Sequence, residues 1–480
     1  MFNKKETPKS KSGEVLNTLS KTIAATFASF DVPVQVVDAI DGLRNYHFHI
    51  QPQKATRMKA MSAFTDDLRY ALENNHVEIQ APIPDKKLVG IIVPKQGPFP
   101  AIAWSEAIAS SGFTESGPLV VPLGVDEFGD KHLVNLARTP HLLIAGATGS
   151  GKSSILHSFI NSLITKNTPE EVRFILCDPR RVDMTLYTGL PHLLTPPITA
   201  AKKGVRALAW AVKEMERRYN ILEAESKQNI TSYHEHVYQP AKARWIKAGS
   251  KEADRTHLPE ALPFIVIIID EINDFMAAYP REFETTIIRL AQMSRAVGIH
   301  LIITTQRPSV NIITGSMKAN LPARIALAVA SQVDSRTIID QTGAEKLTGE
   351  GDMLYQASDS PQPVRIQGYF ISETETREQV NIWKERDRYS LEIIDLEHTN
   401  ESDADSVFSS LTSDSDEEDE LYQDAKQAVQ EAGKASTSYL QRKLRIGYSR
   451  AARLMDLLEE TGVIGPADGS RPREVVTDSK

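Results

Sequence analysis

The octapeptide GATGSGKS, residues 146–153, follows the apolar run HLLIA and precedes the amphipathic segment 154–164. It fits G-x-x-x-x-G-K-[ST], and the succession of strand, glycine-rich loop and helix is the context this motif requires. Glycines let backbone N–H groups curl around phosphate oxygens, and the helix opening at the lysine turns the positive end of its dipole towards them. Gly146, Thr148, Gly149, Ser150, Gly151, Lys152, Ser153 and Ser154 are therefore the candidate nucleotide contacts. Lys152 is expected to reach the terminal phosphates of ATP, and Ser153 to ligate Mg2+. The alternative for the stretch alone is an ordinary glycine-rich turn.

A loop of this kind needs a buried strand before it, and the chain supplies several. HLLIA, VRFILC, FIVIII, IHLIITT, RIALAVA and GDMLY are short apolar runs bounded by Gly, Pro and Asp between residues 118 and 371. They are too continuously apolar for a sheet with one wet face, so helices are expected on both faces of a largely parallel sheet. A long polar insertion at 223–259 precedes the third run.

Two further strand ends add chemistry. FIVIII ends in Asp270-Glu271, 118 residues after Lys152, and acids at the C-terminal end of a parallel strand share the rim on which the phosphates sit. Asp270 is the candidate magnesium carboxylate, and Glu271 the candidate partner of the attacking water. The strand 299–304 leads to Thr305-Gln306; Gln306 suits a hydrogen bond to the γ-phosphate or the water, or is merely a polar strand end. Arg295, near the end of the helix-like 283–296, is either a surface charge or an arginine finger offered to a neighbouring subunit.

The rest of the chain reads as accessory modules. Residues 1–25 are expected to be a polar, flexible tail, and 26–115 a small α+β domain with strands at VPVQVVDAI, YHFHIQ and LVGIIVPK and a helix near 61–72. A linker is expected at 391–418. The stretch 401–420 holds nine acids and no base, so the rest of a chain of net charge −8 comes to +1, and net charge does not argue against nucleic acid as a partner. The single cysteine, Cys177, lies in VRFILC and is expected to be a buried, inert thiol, which fits a reducing cytoplasm. No window approaches a membrane span, so no membrane insertion is expected.

Residues 419–480 pattern as helices at 421–433, 437–444 and 449–461, followed by a two-stranded wing from 463–464 and 474–476. Leu454, Leu457, Leu458 and Thr461 are expected to share the apolar face, while Ser449, Arg453 and Asp456 occupy another, with Arg450 at its edge. Such a face suits a recognition helix in a DNA groove; the alternative is a three-helix interaction module.

HLLIAGATGSGKS, VRFILCDPR, YTGLPHLL, EMERRYNIL, LPFIVIIIDE, SRAVGIHLIITTQRPSVNIITGSMKANLPARIA, DSRTIIDQTGAEKLTGEGDMLY and KASTSYLQRKLRIGYSRAARLMDLLEETG together resemble the FtsK/SpoIIIE family of double-stranded DNA translocases. The resemblance covers about 118–371 and 419–476, and 26–115 is similar to the family's α domain in size and order. It implies an α/β fold with a RecA-like P-loop motor at 116–390, working as a hexameric ring around double-stranded DNA, and a C-terminal winged-helix reader. It makes Lys152, Asp270, Glu271 and Gln306 the hydrolytic set with Arg295 as the finger in trans, and puts Arg307, Lys318 and Arg336 in DNA-facing loops. Gln332 stands where relatives often have lysine, and Ser449 and Asp456 replace asparagine and glutamate. The resemblance also implies chromosome segregation or dimer resolution at division, with a site-specific recombinase or division protein as partner, in a form lacking the family's N-terminal membrane anchor. The expected place is the cytoplasm, at the septum or nucleoid. Two rival readings are a plasmid-transfer or DNA-packaging ATPase and a DNA-binding architectural protein with weak ATPase activity.

Overall fold

A computed structural model describes residues 8–248 and 258–396, apart from 55, 75, 84–86, 96–100, 361, 387–392 and 395. In the C-terminal part it describes 422–444 with 451, 454–455, 458–459, 461, 463–465 and 473–474. The chain divides into two compact units, Met1–Thr399 and Asn400–Lys480.

The first unit begins with a helix where a tail was expected. Residues Pro8–Ser29 are helical because Leu16, Leu19, Ile23 and Phe27 recur at spacings of three and four, and Ile23 and Phe27 are fully buried. Four apolar residues in a lysine- and serine-rich stretch are a thin signal, and only the sheet beneath gives the stripe something to cover. That sheet is antiparallel, with β1 (Val34–Asp41), β2 (Asn45–Pro52), β3 (Glu78–Gln80) and β4 (Val89–Pro94) in the order β1-β2-β4-β3. Phe48, Ile50, Ile91 and Val93 point into the core shared with the helix.

A nine-stranded sheet forms the larger part. Its middle is parallel: β7 (His141–Ala145), β8 (Val172–Cys177), β9 (Phe264–Ile269), β10 (Ile299–Thr305) and β11 (Ala323–Leu327) lie in the order β11-β7-β10-β9-β8. Every residue of these five strands is buried, as expected for a sheet covered on both faces. Beyond β11 the sheet departs from a largely parallel one. β12 (Asp352–Gln356), β13 (Val364–Gly368), β5 (Val120–Asp126) and β6 (Lys131–Asn135) extend it with antiparallel pairings. The partly exposed pattern of β6 fits its place at the edge of the sheet.

Cys177 is buried, and desolvation pushes its thiol up to about 12, so it is inert as expected. The linker expected from 391 begins later, since Ile394 N donates to Leu194 O at 2.7 Å and Leu396 is buried. The acidic stretch 401–420 lies outside the described residues. Among the described residues, no helix is long and apolar enough to cross a membrane.

In the second unit, helices Tyr422–Ala432 and Thr437–Leu444 fall where expected. Leu454 and Leu458 are buried in its small core as expected, together with Ala451 and Met455, whereas Thr461, expected on the same face, is exposed. β14 (Lys434–Ala435) pairs antiparallel with β15 (Arg473–Glu474). The other half of the expected wing strand, 475–476, lies outside the described residues, as do Ser449, Arg450, Arg453, Asp456 and Leu457.

Candidate active site

The order of the parallel strands brings the hydrolytic candidates together. Gly146, Asp178, Asp270 and Gln306 each follow the last residue of a strand, and β10 lies between β7 and β9. Gln306 therefore stands between the phosphate loop and the acidic pair.

The loop itself is tightly packed. Gly149 and Gly151 have φ of 80° and 103°, and a Cβ on Gly151 would come within 2.4 Å of Gly351 N, so the last glycine before Lys152 is required by a backbone neighbour as well as by its conformation. The helix Lys152–Lys166 opens immediately afterwards. Lys152 and Asp270 are both almost fully buried and form an ion pair, and Thr304 Oγ1 donates to Asp270 at 2.8 Å and accepts from Lys152 at 3.2 Å. A buried ammonium needs such a set of oxygens, since a lone charge in the interior is strongly disfavoured.

Glu271 sits in the left-handed region at φ 58°, a conformation costing on the order of 1 kcal/mol for a residue with a Cβ. It is held there from β10: Thr305 Oγ1 donates to Oε1 at 2.9 Å, and Gln306 N donates to Oε2 at 3.0 Å. Gln306 Oε1 in turn accepts from Thr148 Oγ1 at 2.9 Å, which ties the amide to the phosphate loop. Backbone strain maintained by two hydrogen bonds at a buried carboxylate is the arrangement expected where a side chain must be aimed.

Two residues that the sequence motifs do not single out complete this rim. Ser153 Oγ donates to Asp183 Oδ2 at 2.6 Å. The loop bearing Asp183 is organised by Asp178, whose carboxylate accepts five backbone N–H bonds, from residues 180 to 184, at 2.9–3.1 Å. Asp178 carries a signal, since VRFILC-Asp repeats the pattern of FIVIII-Asp. Asp183 carries none, being placed by the turn that Asp178 folds. His157, beside Asp183 and bonded to Tyr187 at 2.8 Å, has its pKa lowered by burial.

The site fits a magnesium nucleotide. Ser150 Oγ is buried without a hydrogen-bond partner within the loop, which suits a phosphate oxygen. Among the described residues no cluster of three metal-ligating side chains exists, whereas Ser153 and Asp270 offer single hard oxygens. That donor set suits Mg2+, which takes its remaining ligands from phosphates and water.

Arg295 lies on the opposite rim. It is exposed in the turn before β10, at the N-terminal ends of the parallel strands, and so is not brought to Lys152 of its own chain. The turn is firmly held: Tyr219 Oη donates to Met293 O at 2.6 Å, Arg218 Nη1 to Val297 O at 2.9 Å, and Ile230 N to Ala296 O at 2.8 Å. Arg218 is itself buried and paired with Glu214 at 2.7 Å. Below the turn, His141 and His300 are buried, and desolvation lowers their pKa to about 3 and about 4.

Of the candidate DNA contacts, Arg307 and Arg336 are exposed. Lys318 is half-buried, and its ammonium is committed to Asp340 at 2.7 Å, a carboxylate shared with Arg324. Burial would raise the pKa of Asp340, but the two cations outweigh it and hold the group below the ordinary range.

Family models match in three blocks: the FtsK alpha domain at residues 1–95, the FtsK/SpoIIIE family at 106–310 and the Ftsk gamma domain at 416–478. The chain belongs to the FtsK/SpoIIIE family. The FtsK alpha match includes the helix Pro8–Ser29, and the FtsK/SpoIIIE match contains the phosphate loop, Asp270, Glu271, Arg295 and Gln306. Curated FtsK relatives agree. A protein of Caldanaerobacter subterraneus subsp. tengcongensis named DNA translocase FtsK is 44% identical over 96% of this chain and 61% of its own length. One of Clostridium tetani with the same name is 43% identical over 96% of this chain and 59% of its own. The chain thus spans about three-fifths of the curated relatives it matches. A solved structure of the pCW3 conjugation coupling protein TcpA, a monomer with ATPγS, superposes with TM-score 0.51 at 21% identity, covering 76% of this chain and 99% of that one. That likeness carries the fold alone: a P-loop ATPase motor fold, to which this family adds a winged-helix C-terminal domain.

Proposed function

We propose that this chain is an ATP-driven translocase of double-stranded DNA, working as a hexameric ring. The observation that carries the reading is the joining of Lys152, Asp270, Glu271 and Gln306 at adjacent strand ends, in a chain whose relatives are named DNA translocase FtsK. The proposed domains are an α module to residue 115, a motor from 116 to about 396, where Ile394 and Leu396 still pack on it, an acidic linker and a winged-helix reader from 419 to 480. The helix Pro8–Ser29 is assigned to the α module.

In this reading Lys152 and the loop N–H groups bind the phosphates, and Glu271 orients and deprotonates water. Gln306 links the loop to that carboxylate. Mg2+, held by Ser153 and Asp270, would neutralise phosphate charge. Arg295 acts in a neighbour's site, since its own lies on the other rim. Arg307 and Arg336 contact DNA phosphates, with Lys318 joining them by leaving Asp340; such contacts are insensitive to sequence and sensitive to salt. Ser449, Arg450, Arg453 and Asp456 read the duplex and orient the motor. The setting is chromosome segregation or dimer resolution at the septum or nucleoid, with a recombinase or division protein as partner.

The test is displacement of a third strand from long duplex DNA with ATP. Wild type is expected to strip it and Lys152→Ala is not. Equal stripping by both, or none by wild type, removes the proposal.

A further inference from the structure

The proposed function uses nothing from the α module, yet that module reaches the back of the phosphate loop. The contact runs through a strap, residues 347–352, that connects the antiparallel part of the sheet to the nucleotide rim. Gly349, Glu350 and Gly351 have φ of 82°, 53° and 86°, three left-handed residues in succession. This turn presses Gly351 against the loop: Gly351 N donates to Ser150 O at 2.8 Å, and a Cβ on Gly151 would lie 2.4 Å from Gly351 N and 2.7 Å from its Cα.

The strap is fixed from three sides. Thr348 N and Oγ1 donate to Asp352 Oδ2 at 2.9 and 3.0 Å, and Arg365 grips the same carboxylate at 2.8 and 3.1 Å. Gln367 Nε2 donates to Glu350 O at 2.9 Å. The third hold comes from the α module. Arg44, in the turn between β1 and β2 and 8% exposed, donates through Nη1 to Thr348 Oγ1, with Asp352 and Glu350 within its field. Its turn is anchored on Glu127, between β5 and β6: Leu43 N donates to Glu127 O at 3.2 Å, Asn45 Nδ2 to Oε1 at 2.7 Å, and His47 Nε2 lies 3.1 Å from Oε2.

We infer that Arg44 is a positioning residue for nucleotide binding, through which the α module holds the strap, and with it Ser150 and Gly151, in the conformation that receives phosphate. Glu350 is strained in the left-handed region and the two glycines beside it are intrinsically free to leave it, so a strap that lost one hold would sample other conformations. The phosphate loop would lose its backbone neighbour with it, and binding would then carry the cost of ordering both. The inference rests on the reading of residues 146–153 as the nucleotide site.

The experiment uses the full chain with Arg44→Ala, Arg44→Lys, Thr348→Val and the double variant Arg44→Ala/Thr348→Val. Fluorescent ATP affinity, KM and kcat are measured, with amide hydrogen exchange of 146–151, 347–352, β2 and β4. Arg44→Ala is expected to weaken ATP binding and raise KM roughly tenfold, the scale of one lost charge-assisted hydrogen bond, with little change in kcat. Exchange should rise in the strap and loop while β2 and β4 stay protected, Arg44→Lys should recover part of the affinity, and the double variant should be no worse than the worse single one. Unchanged affinity in Arg44→Ala overturns the inference. So does an effect that adds fully to that of Thr348→Val, or one accompanied by lost protection in β2 and β4, which would mark general unfolding of the module. The nucleotide reading fails separately, if wild type and Lys152→Ala bind ATP alike.

Discussion

The two rims of the parallel sheet in the first unit are built on opposite principles. The C-terminal rim concentrates buried charge and satisfies it internally: Lys152 with Asp270 and Thr304, Glu271 with Thr305 and the Gln306 amide. The N-terminal rim keeps its cation, Arg295, at the surface, and keeps the two imidazoles beneath it neutral. One rim prepares a site for a polyanion, and the other presents Arg295 outwards on a rigid turn. If Arg295 serves a neighbour's site as proposed, hydrolysis requires two chains in contact.

The largest test of this contrast is Arg295→Ala: under the proposed finger role it should lower kcat about 10³-fold with ATP affinity retained. Mixing Arg295→Ala with Lys152→Ala should restore part of the activity, because a shared site then draws one intact rim from each chain. No recovery in stoichiometric mixtures breaks the contrast.

Glu271→Gln probes the other rim from within. It should keep ATP bound and cut turnover by about 10²-fold, the effect of losing a general base. Equal loss of binding would mean that the carboxylate supports the loop instead of the water.

Smaller effects are expected at the turn that carries Arg295. Tyr219→Phe removes the hydroxyl bonded to Met293 O and should lower kcat roughly threefold to tenfold, the size of one neutral hydrogen bond. In an Arg295→Ala background the same change should do nothing further; an undiminished effect there would assign Tyr219 a role apart from the finger.

The mildest test is acidity. His141 and His300 titrate near 3 and 4 when folded and near 6.5 when unfolded, so the unfolded chain binds more protons between those values. Stability should fall as pH drops from about 6.5 towards 4, by up to about 1.4 kcal/mol per pH unit for each histidine. Leu301 N donates to His141 Nδ1, so protonation there also breaks a backbone bond, and exchange at Leu301 should rise with acid earlier than at Thr304. Uniform loss of protection across both ends of β10 would count against separate rims.

Much of the fold and of the nucleotide site is legible in the amino-acid sequence. The residues 146–153 announce their loop because phosphate binding demands glycines at fixed offsets, and FIVIII-Asp-Glu announces a buried strand with acids at its tip. Local chemistry of that kind survives in one dimension. The helix Pro8–Ser29 reads as tail because its stripe is thin, and Asp183 goes unmarked because it owes its place to a turn folded around Asp178. Lys318 reads as an open cation until Asp340 is brought back to it from 22 residues away.

The sequence by itself determined which side chains are candidates for the chemistry, which strands are buried and which family the chain resembles. Only the tertiary structure decided that β10 separates β7 from β9, that Arg295 faces away from its own phosphate loop, and that the α module leans on the strap behind Gly151. The physical reason is that strand order and rim are set by how crossovers wrap a sheet, and packing between distant segments leaves no periodic mark on either partner.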